Sequence, residues 1–199
     1  MEIYLIRHGE TGGNVARRHQ AEKTPLTDRG REQAKEVAKK IEKYKPTHLL
    51  CSPMVRAVET ARIIGDEIGM VPEINDNFVE IKRPDHLYGN HHISPVSVWF
   101  YIKWYFGKTD VGESYKELRD RIKAAKQYFK KYPEDARVAV VTHGVFINMF
   151  IAHLCDDKPL TPLGAFKTFK SIMKMKNTEI VPVIFDPNAG TGTCAWLNK

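Results

Sequence analysis

The chain has 199 residues, 42% of them hydrophobic and 28% charged, with a formal net charge of +7. That length suits one domain with a sizeable core and argues against two full domains, and the composition is that of an ordinary soluble globular protein. The basic excess favours an acidic partner such as a phosphorylated metabolite; Lys35, Lys39, Lys40 and Lys43 read as a solvated helix face, and with no nucleic-acid motif beside them a nucleic-acid partner is set aside.

The first predicted element is a strand, Glu2-Ile3-Tyr4-Leu5-Ile6, cut off by Arg7-His8-Gly9-Glu10-Thr11-Gly12-Gly13-Asn14. Ligands of open α/β sheets bind at the carboxyl ends of strands, so Arg7 and His8 belong at the mouth of a site. Arginine supplies a planar fork of donors for phosphate or carboxylate, and the adjacent histidine is a base or a nucleophile. The glycines at 9, 12 and 13 are expected to bring the backbone close to a ligand, with Thr11 and Asn14 as neutral donors.

Thr27 is a good N-cap, and Ala34, Val37, Ala38, Ile41 and Tyr44 recur at helical spacing up to Pro46. Residues 47–51 read as a second strand with His48 at the surface. Ser52-Pro53 then opens a helix, serine as cap and proline at the first position, which sets Arg56 near its anion-favouring end. Gly69 ends that helix, and a short strand follows near 71–74. Glu80 is flanked by apolar residues, which implies partial burial, a raised carboxyl pKa and a usable general acid; Asp76, Glu73 and Asp85 are the competing acids.

Residues 96–106 are dense in aromatics and read either as a lid or as a helix packed on the core or a subunit contact. His91-His92 lacks a nearby third ligand, so no metal is expected there. A third long helix starts at Gly112-Glu113-Ser114, and Arg137–Thr142 is a buried strand that delivers His143-Gly144. Two strands thus each end in a His-Gly pair, which an α/β sheet would bring to one edge. The apolar helix 146–154 follows with His153 structural, and 167–176 reads as basic and irregular. A late strand spans 177–186, with Pro182 suggesting an edge position. A turn-rich loop is expected at 187–192, and Cys194–Leu197 as a closing strand.

The runs 96–106 and 145–155 are too short to span a bilayer, and the chain opens directly in a strand rather than a signal peptide. Cys51 and Cys155 lie in apolar runs and read as buried thiols of a reducing compartment, which points to the cytoplasm.

The string at 7–14 resembles the Arg-His-Gly-Glu-Thr-x-x-Asn signature of the histidine phosphatase superfamily, the phosphoglycerate mutase-like family. Gly13 stands where many members carry an aromatic residue. Residues 26–34 resemble the family's first helix, 52–61 its Ser-Pro-x-x-Arg-Ala-x-x-Thr-Ala string and 140–144 its third signature. The Glu113-Ser114 opening followed by Arg119, and the Asn177-Thr178 strand, resemble further family features. The resemblance implies a three-layer α/β/α sandwich with a mostly parallel central sheet, one domain over 1–199, and a lid-like segment at about 82–112.

It further implies catalytic roles for His8, Glu80, His143, Arg7 and Arg56, and phosphate binding by Arg7, Asn14, Arg56, His143 and Gly144. Neutral His8 would attack phosphorus, and Glu80 would protonate the leaving oxygen and then activate water. Chemistry alone does not separate the roles of His8 and His143; the resemblance assigns the nucleophile to His8. Two arginines offset the phosphate's charge, so no metal and no cofactor is required. The expected activity is a metal-independent phosphatase acting on a phosphorylated small molecule or a phosphoprotein, with no nucleic-acid or membrane partner. A cofactor-dependent phosphoglycerate mutase, a noncatalytic phospho-ligand binder and a metal hydrolase are the alternatives.

Overall fold

A computed structural model of the protein describes residues 1–109, 111–156, 158–186 and 196–198. In chain order the elements are β1 (Glu2–Arg7), α1 (Gly12–Val15), α2 (Asp28–Ile41), β2 (His48–Cys51), α3 (Val55–Ile68) and β3 (Glu73–Ile74). There follow α4 (Pro95–Tyr105), α5 (Tyr115–Phe129), β4 (Arg137–Thr142), α6 (Gly144–Ala152), α7 (Pro162–Lys174), β5 (Ile180–Phe185) and β6 (Trp196–Asn198). One six-stranded sheet has the order β3-β2-β4-β1-β5-β6. The first four strands of that order run parallel, and β5 and β6 each lie antiparallel to the preceding neighbour.

Strand periodicity sorts the core into two layers. Ile3, Leu5, Val138 and Val140 face Phe129 of α5 and Phe146 and Phe150 of α6. Tyr4, Ile6, Ala139 and Val141 face Val37 and Ile41 of α2 and Ala57 and Ile64 of α3. The result is the expected α/β/α sandwich with a mostly parallel sheet. Thr27 caps α2 by accepting from the Gly30 N–H at 3.0 Å, and Gly69 ends α3 with φ of 71°. No helix among the described residues is long and apolar enough to cross a membrane.

Several expectations need correction. Pro182 is not on an edge, because β5 lies between β1 and β6. Hydrogen bonds from Arg7 N–H to Glu179 and from Phe185 N–H to Met1 make Tyr4↔Pro182 a non-hydrogen-bonded pair, so the proline nitrogen turns away from β1. The missing donor is therefore not needed by β1; on the other side the ladder to β6 runs from Phe185 to Val183 among the described residues.

The segment 167–176 is largely helical, as part of α7, with Thr161 as cap and Pro162 at the first position. The interleaved Lys167, Lys170 and Lys174 obscured the apolar positions Phe166, Phe169, Ile172 and Met173. Helix α3 starts at Val55, so Ser52 is not its cap. None of Gly9, Gly12 and Gly13 has positive φ. Gly9 is required for packing instead: a Cβ there would stand 2.5 Å from the Gly30 carbonyl oxygen.

Cys51 is a buried free thiol, as expected, but Cys155 is exposed beyond the end of α6 and is disulfide-bonded. Its partner lies outside the described residues, as does the loop expected at 187–192. The cysteines thus no longer argue for a reducing compartment.

Candidate active site

The register of the two central strands builds the site. Arg7 of β1 pairs with Thr142 of β4, so His8 and His143 leave the sheet side by side. The His8 N–H donates to the Thr142 carbonyl at 2.9 Å, and the two imidazole centroids are 5.2 Å apart. Both rings are buried. His8 Nδ1 lies 2.7 Å from the Gly9 carbonyl oxygen. A carbonyl only accepts, so Nδ1 carries the proton and Nε2 holds the free lone pair. The Gly9 N–H donates to Thr60 Oγ1 at 3.0 Å, which fixes this turn against α3.

Arg56 is 3% exposed in the first turn of α3; it donates through one terminal nitrogen to the Ala21 carbonyl at 2.9 Å, with its other terminal nitrogen 3.0 Å from Met54 Sδ. Arg7 donates to the Met175 carbonyl just beyond α7. Among the described residues the Nε of each guanidinium is buried without a hydrogen-bond partner, and so is His143 Nδ1. Native proteins seldom leave such atoms unpaired. His143 Nε2 is 2.8 Å from Ser52 Oγ, which also accepts from the Met54 N–H at 3.3 Å. Ser52 thus orients the second histidine, a role the sequence reading mistook for a helix cap.

Asn14 is fixed by its oxygen. Its Oδ1 accepts from the Thr11 N–H at 3.2 Å and from Asn177 Nδ2 at 3.0 Å, leaving its amide N–H groups for other partners. Gly144 opens α6 on the wall of the same cleft, where a Cβ would stand 3.5 Å from Arg7 Nε.

Glu80 is 8% exposed, whereas Glu73, Asp76 and Asp85 are exposed. Its Oε1 accepts from the Ile81 N–H at 3.0 Å and the Phe146 N–H at 3.2 Å, and Oε2 from the Val145 N–H at 3.2 Å. The carboxylate therefore sits on the positive end of α6. Of the roughly four lone-pair sites on a carboxylate, three are taken, which leaves one for a proton. Arg121 holds this segment in place: it donates to the Val79 carbonyl at 2.7 Å and pairs with both oxygens of Glu113 at 2.7 Å. Arg119, further along α5, lies over the Tyr115 ring at 5.1 Å.

All of the expected site residues line or adjoin one cleft of about 840 Å³. Sequence reasoning missed Arg83, which lines it too and donates from Nε to Tyr101 Oη at 2.8 Å. An arginine in an irregular segment carries no periodic signal. Among the described residues no group of three or more His, Cys, Asp or Glu side chains is arranged to hold a metal ion. The aromatic segment proves to be α4, with Phe100 and Trp104 buried and Tyr101, Ile102, Trp104 and Tyr105 on the cleft. Trp99 is exposed and off the cleft, with Lys103 Nζ 5.7 Å from its ring centroid.

Burial first, then Arg56 and Arg7, hold the His8 pKa well below its usual 6.5. Burial and Arg56 do the same for His143. Both rings are therefore neutral at pH 7. In the unfolded chain each titrates near 6.5, so below that pH the unfolded state binds protons that the folded state does not. Stability consequently falls as pH falls, until the depressed folded pKa is reached. Urea unfolding should give a lower free energy at pH 5.5 than at pH 7, by on the order of 1 kcal/mol for each of these two rings. Equal or greater stability at the lower pH would contradict that assignment.

Comparison with known proteins agrees with this geometry. The family model of the histidine phosphatase superfamily (branch 1) matches residues 3–193. A probable phosphoglycerate mutase GpmB of Enterobacter sp. (strain 638) is 31% identical over 160 residues, which covers 76% of this chain and 74% of that protein. Among solved structures, a putative alpha-ribazole-5'-P phosphatase from Escherichia coli K-12 aligns with a TM-score of 0.79 at 20% identity, covering 100% of this chain and 94% of the other. A mycobacterial glucosyl-3-phosphoglycerate phosphatase complexed with VO3 aligns with a TM-score of 0.73 at 23% identity, covering 100% and 96%. The strand register that pairs two histidines, the family match along the chain and the shared fold lead to one conclusion: the chain belongs to the histidine phosphatase superfamily.

Proposed function

We propose that the protein is a metal-independent phosphatase that hydrolyses phosphomonoesters through a phosphohistidine on His8. The observation that carries this reading is the set of unpaired buried atoms around His8: Arg7 Nε, Arg56 Nε and His143 Nδ1. A phosphoryl group offers acceptor oxygens to such donors, and charge-assisted bonds of this kind are among the strong ones. With Ser52 donating to His143 Nε2, His143 Nδ1 carries a proton and becomes a third donor. Asn14 Nδ2 and the Gly144 end of α6 complete the cradle.

In the first step His8 Nε2 attacks phosphorus, the N–P bond forms and the ester P–O bond breaks. The departing oxygen takes the proton of Glu80. In the second step water, deprotonated by Glu80, attacks phosphorus and the P–N bond breaks, giving alcohol and inorganic phosphate. Arg7 and Arg56 offset charge on the equatorial oxygens through both steps. Helix α4 serves as the lid that shapes the leaving-group side. Phosphoglycerate, the substrate of the mutase reading, would have to set its carboxylate on Arg17, Arg18 or Arg83, because the apolar α4–α7 side of the cleft offers it no partner.

The test is hydrolysis of p-nitrophenyl phosphate in excess chelator. Turnover unchanged by chelation is expected; no turnover, or turnover lost with chelator and restored by a metal, would overturn the reading.

A further inference from the structure

The cleft is far larger than a phosphoryl group needs. Its volume of about 840 Å³ lies near the upper end of ordinary ligand sites. Beyond the histidines it runs between α4 and α7, walled by Ile102, Tyr101, Phe166, Phe169 and Ile172. Helix α7 buries none of its residues fully; Ile172 packs against the core, but Leu163, Phe166, Phe169 and Met173 stay exposed. Phe166 is 65% exposed and Ile102 45% exposed.

The polar atoms on these aromatic walls are already engaged, apart from the hydroxyl proton of Tyr101. Trp104 Nε1 donates to the Glu113 carbonyl at 2.9 Å, and Tyr105 Oη to the Leu160 carbonyl at 2.7 Å. Tyr115 Oη accepts from the Leu160 N–H at 2.9 Å and lies 3.2 Å from His153 Nε2, and Tyr101 Oη accepts from Arg83. Arg17, Arg18, Gln20 and Arg83 also line the cleft, but a sugar or glycerate lying against Ile102, Phe166, Phe169 and Ile172 would lose water from its hydroxyls and find no partner on those side chains, at a cost per group. A hydrocarbon would lose nothing and would cover exposed Phe166 and Ile102.

Building on the phosphatase reading, we propose that the substrates are phosphomonoesters whose leaving alcohol is an extended hydrocarbon, seated between α4 and α7. The reaction consumes the ester and water and yields the long-chain alcohol and inorganic phosphate.

A series of straight-chain alkyl phosphates from ethyl to octyl, each kept below its micellar concentration, tests this alongside glycerol phosphate and p-nitrophenyl phosphate. kcat/KM should rise about two- to fourfold per methylene, the range expected when each CH2 is partly to fully buried. Glycerol phosphate should fall with ethyl phosphate or below it. The double variant Ile102→Ser/Phe166→Ser should lower the octyl-to-ethyl ratio at least about tenfold, the effect of losing roughly two buried methylenes or more. If p-nitrophenyl phosphate is hydrolysed but the alkyl series is flat, the hydrocarbon assignment falls and the phosphatase reading stands. A flat series in a protein that sediments as a dimer, and as a monomer after Phe166→Ser, would give the cleft to a second copy and overturn the proposal. If no ester is hydrolysed, both readings fall together.

Discussion

Replacing His8 with alanine is expected to lower hydrolysis of every phosphomonoester by at least about 10⁴-fold, because the group that forms the covalent bond is gone and the remaining donors only bind. The substitution should not unfold the protein. His8 contributes one side-chain hydrogen bond, to its neighbour's carbonyl, and the burial that depresses its pKa makes the ring costly to protonate. Thermal unfolding at pH 7 within a few degrees of wild type would show that the loss is chemical. Inorganic phosphate should still bind, since Arg7, Arg56 and His143 keep their unpaired nitrogens. Residual turnover above about 10% of wild type would move the nucleophile elsewhere.

Glu80→Gln should cost about 10² to 10⁴ in turnover of an alkyl phosphate, the usual worth of a general acid. In a single turnover it should cost much less in the first release of p-nitrophenolate, whose oxygen leaves without a proton, while the water step slows for both substrates. That dependence on the leaving group separates an acid from a residue that only shapes the site. The same variant should also lose stability. Glutamine has one acceptor atom where Glu80 uses two to receive the Phe146 and Val145 N–H groups, so one N–H at the start of α6 faces a donor. A loss of about 1 to 2 kcal/mol is expected from denaturant unfolding, as for a removed helix cap. Equal slowing of this first step on both substrates, with the water step unchanged, would make Glu80 a cap alone.

What the sequence made legible was whatever depended on local pattern. The apolar, β-favouring run in Ile3–Ile6 and the unbroken run in Val138–Val141 mark two core strands, and a parallel sheet places the residues that follow them at one edge. Arg56 was readable because a helix start follows β2 directly. What escaped depends on distant partners. Ser52 looked like a cap because serine before proline commonly is one, yet its hydroxyl serves His143, 91 positions away. Glu80 was recognised by its apolar flanks, but its position on the N–H groups of α6 comes from 65 residues further along the chain. Arg121 binds Glu113 and the carbonyls of residues 77 and 79, which no spacing along α5 discloses. The α7 wall was hidden by lysines alternating with the apolar positions. Cys155 sat in an apolar run and still reached the surface, because α6 ends at Ala152.

The most direct measurement is rapid quench of the wild-type enzyme during turnover of p-nitrophenyl phosphate, followed by alkaline digestion and mass spectrometry. A phosphoryl group on the peptide carrying His8, linked through nitrogen and released by acid, is the expected result; label on His143, or none at times shorter than one turnover, would contradict it.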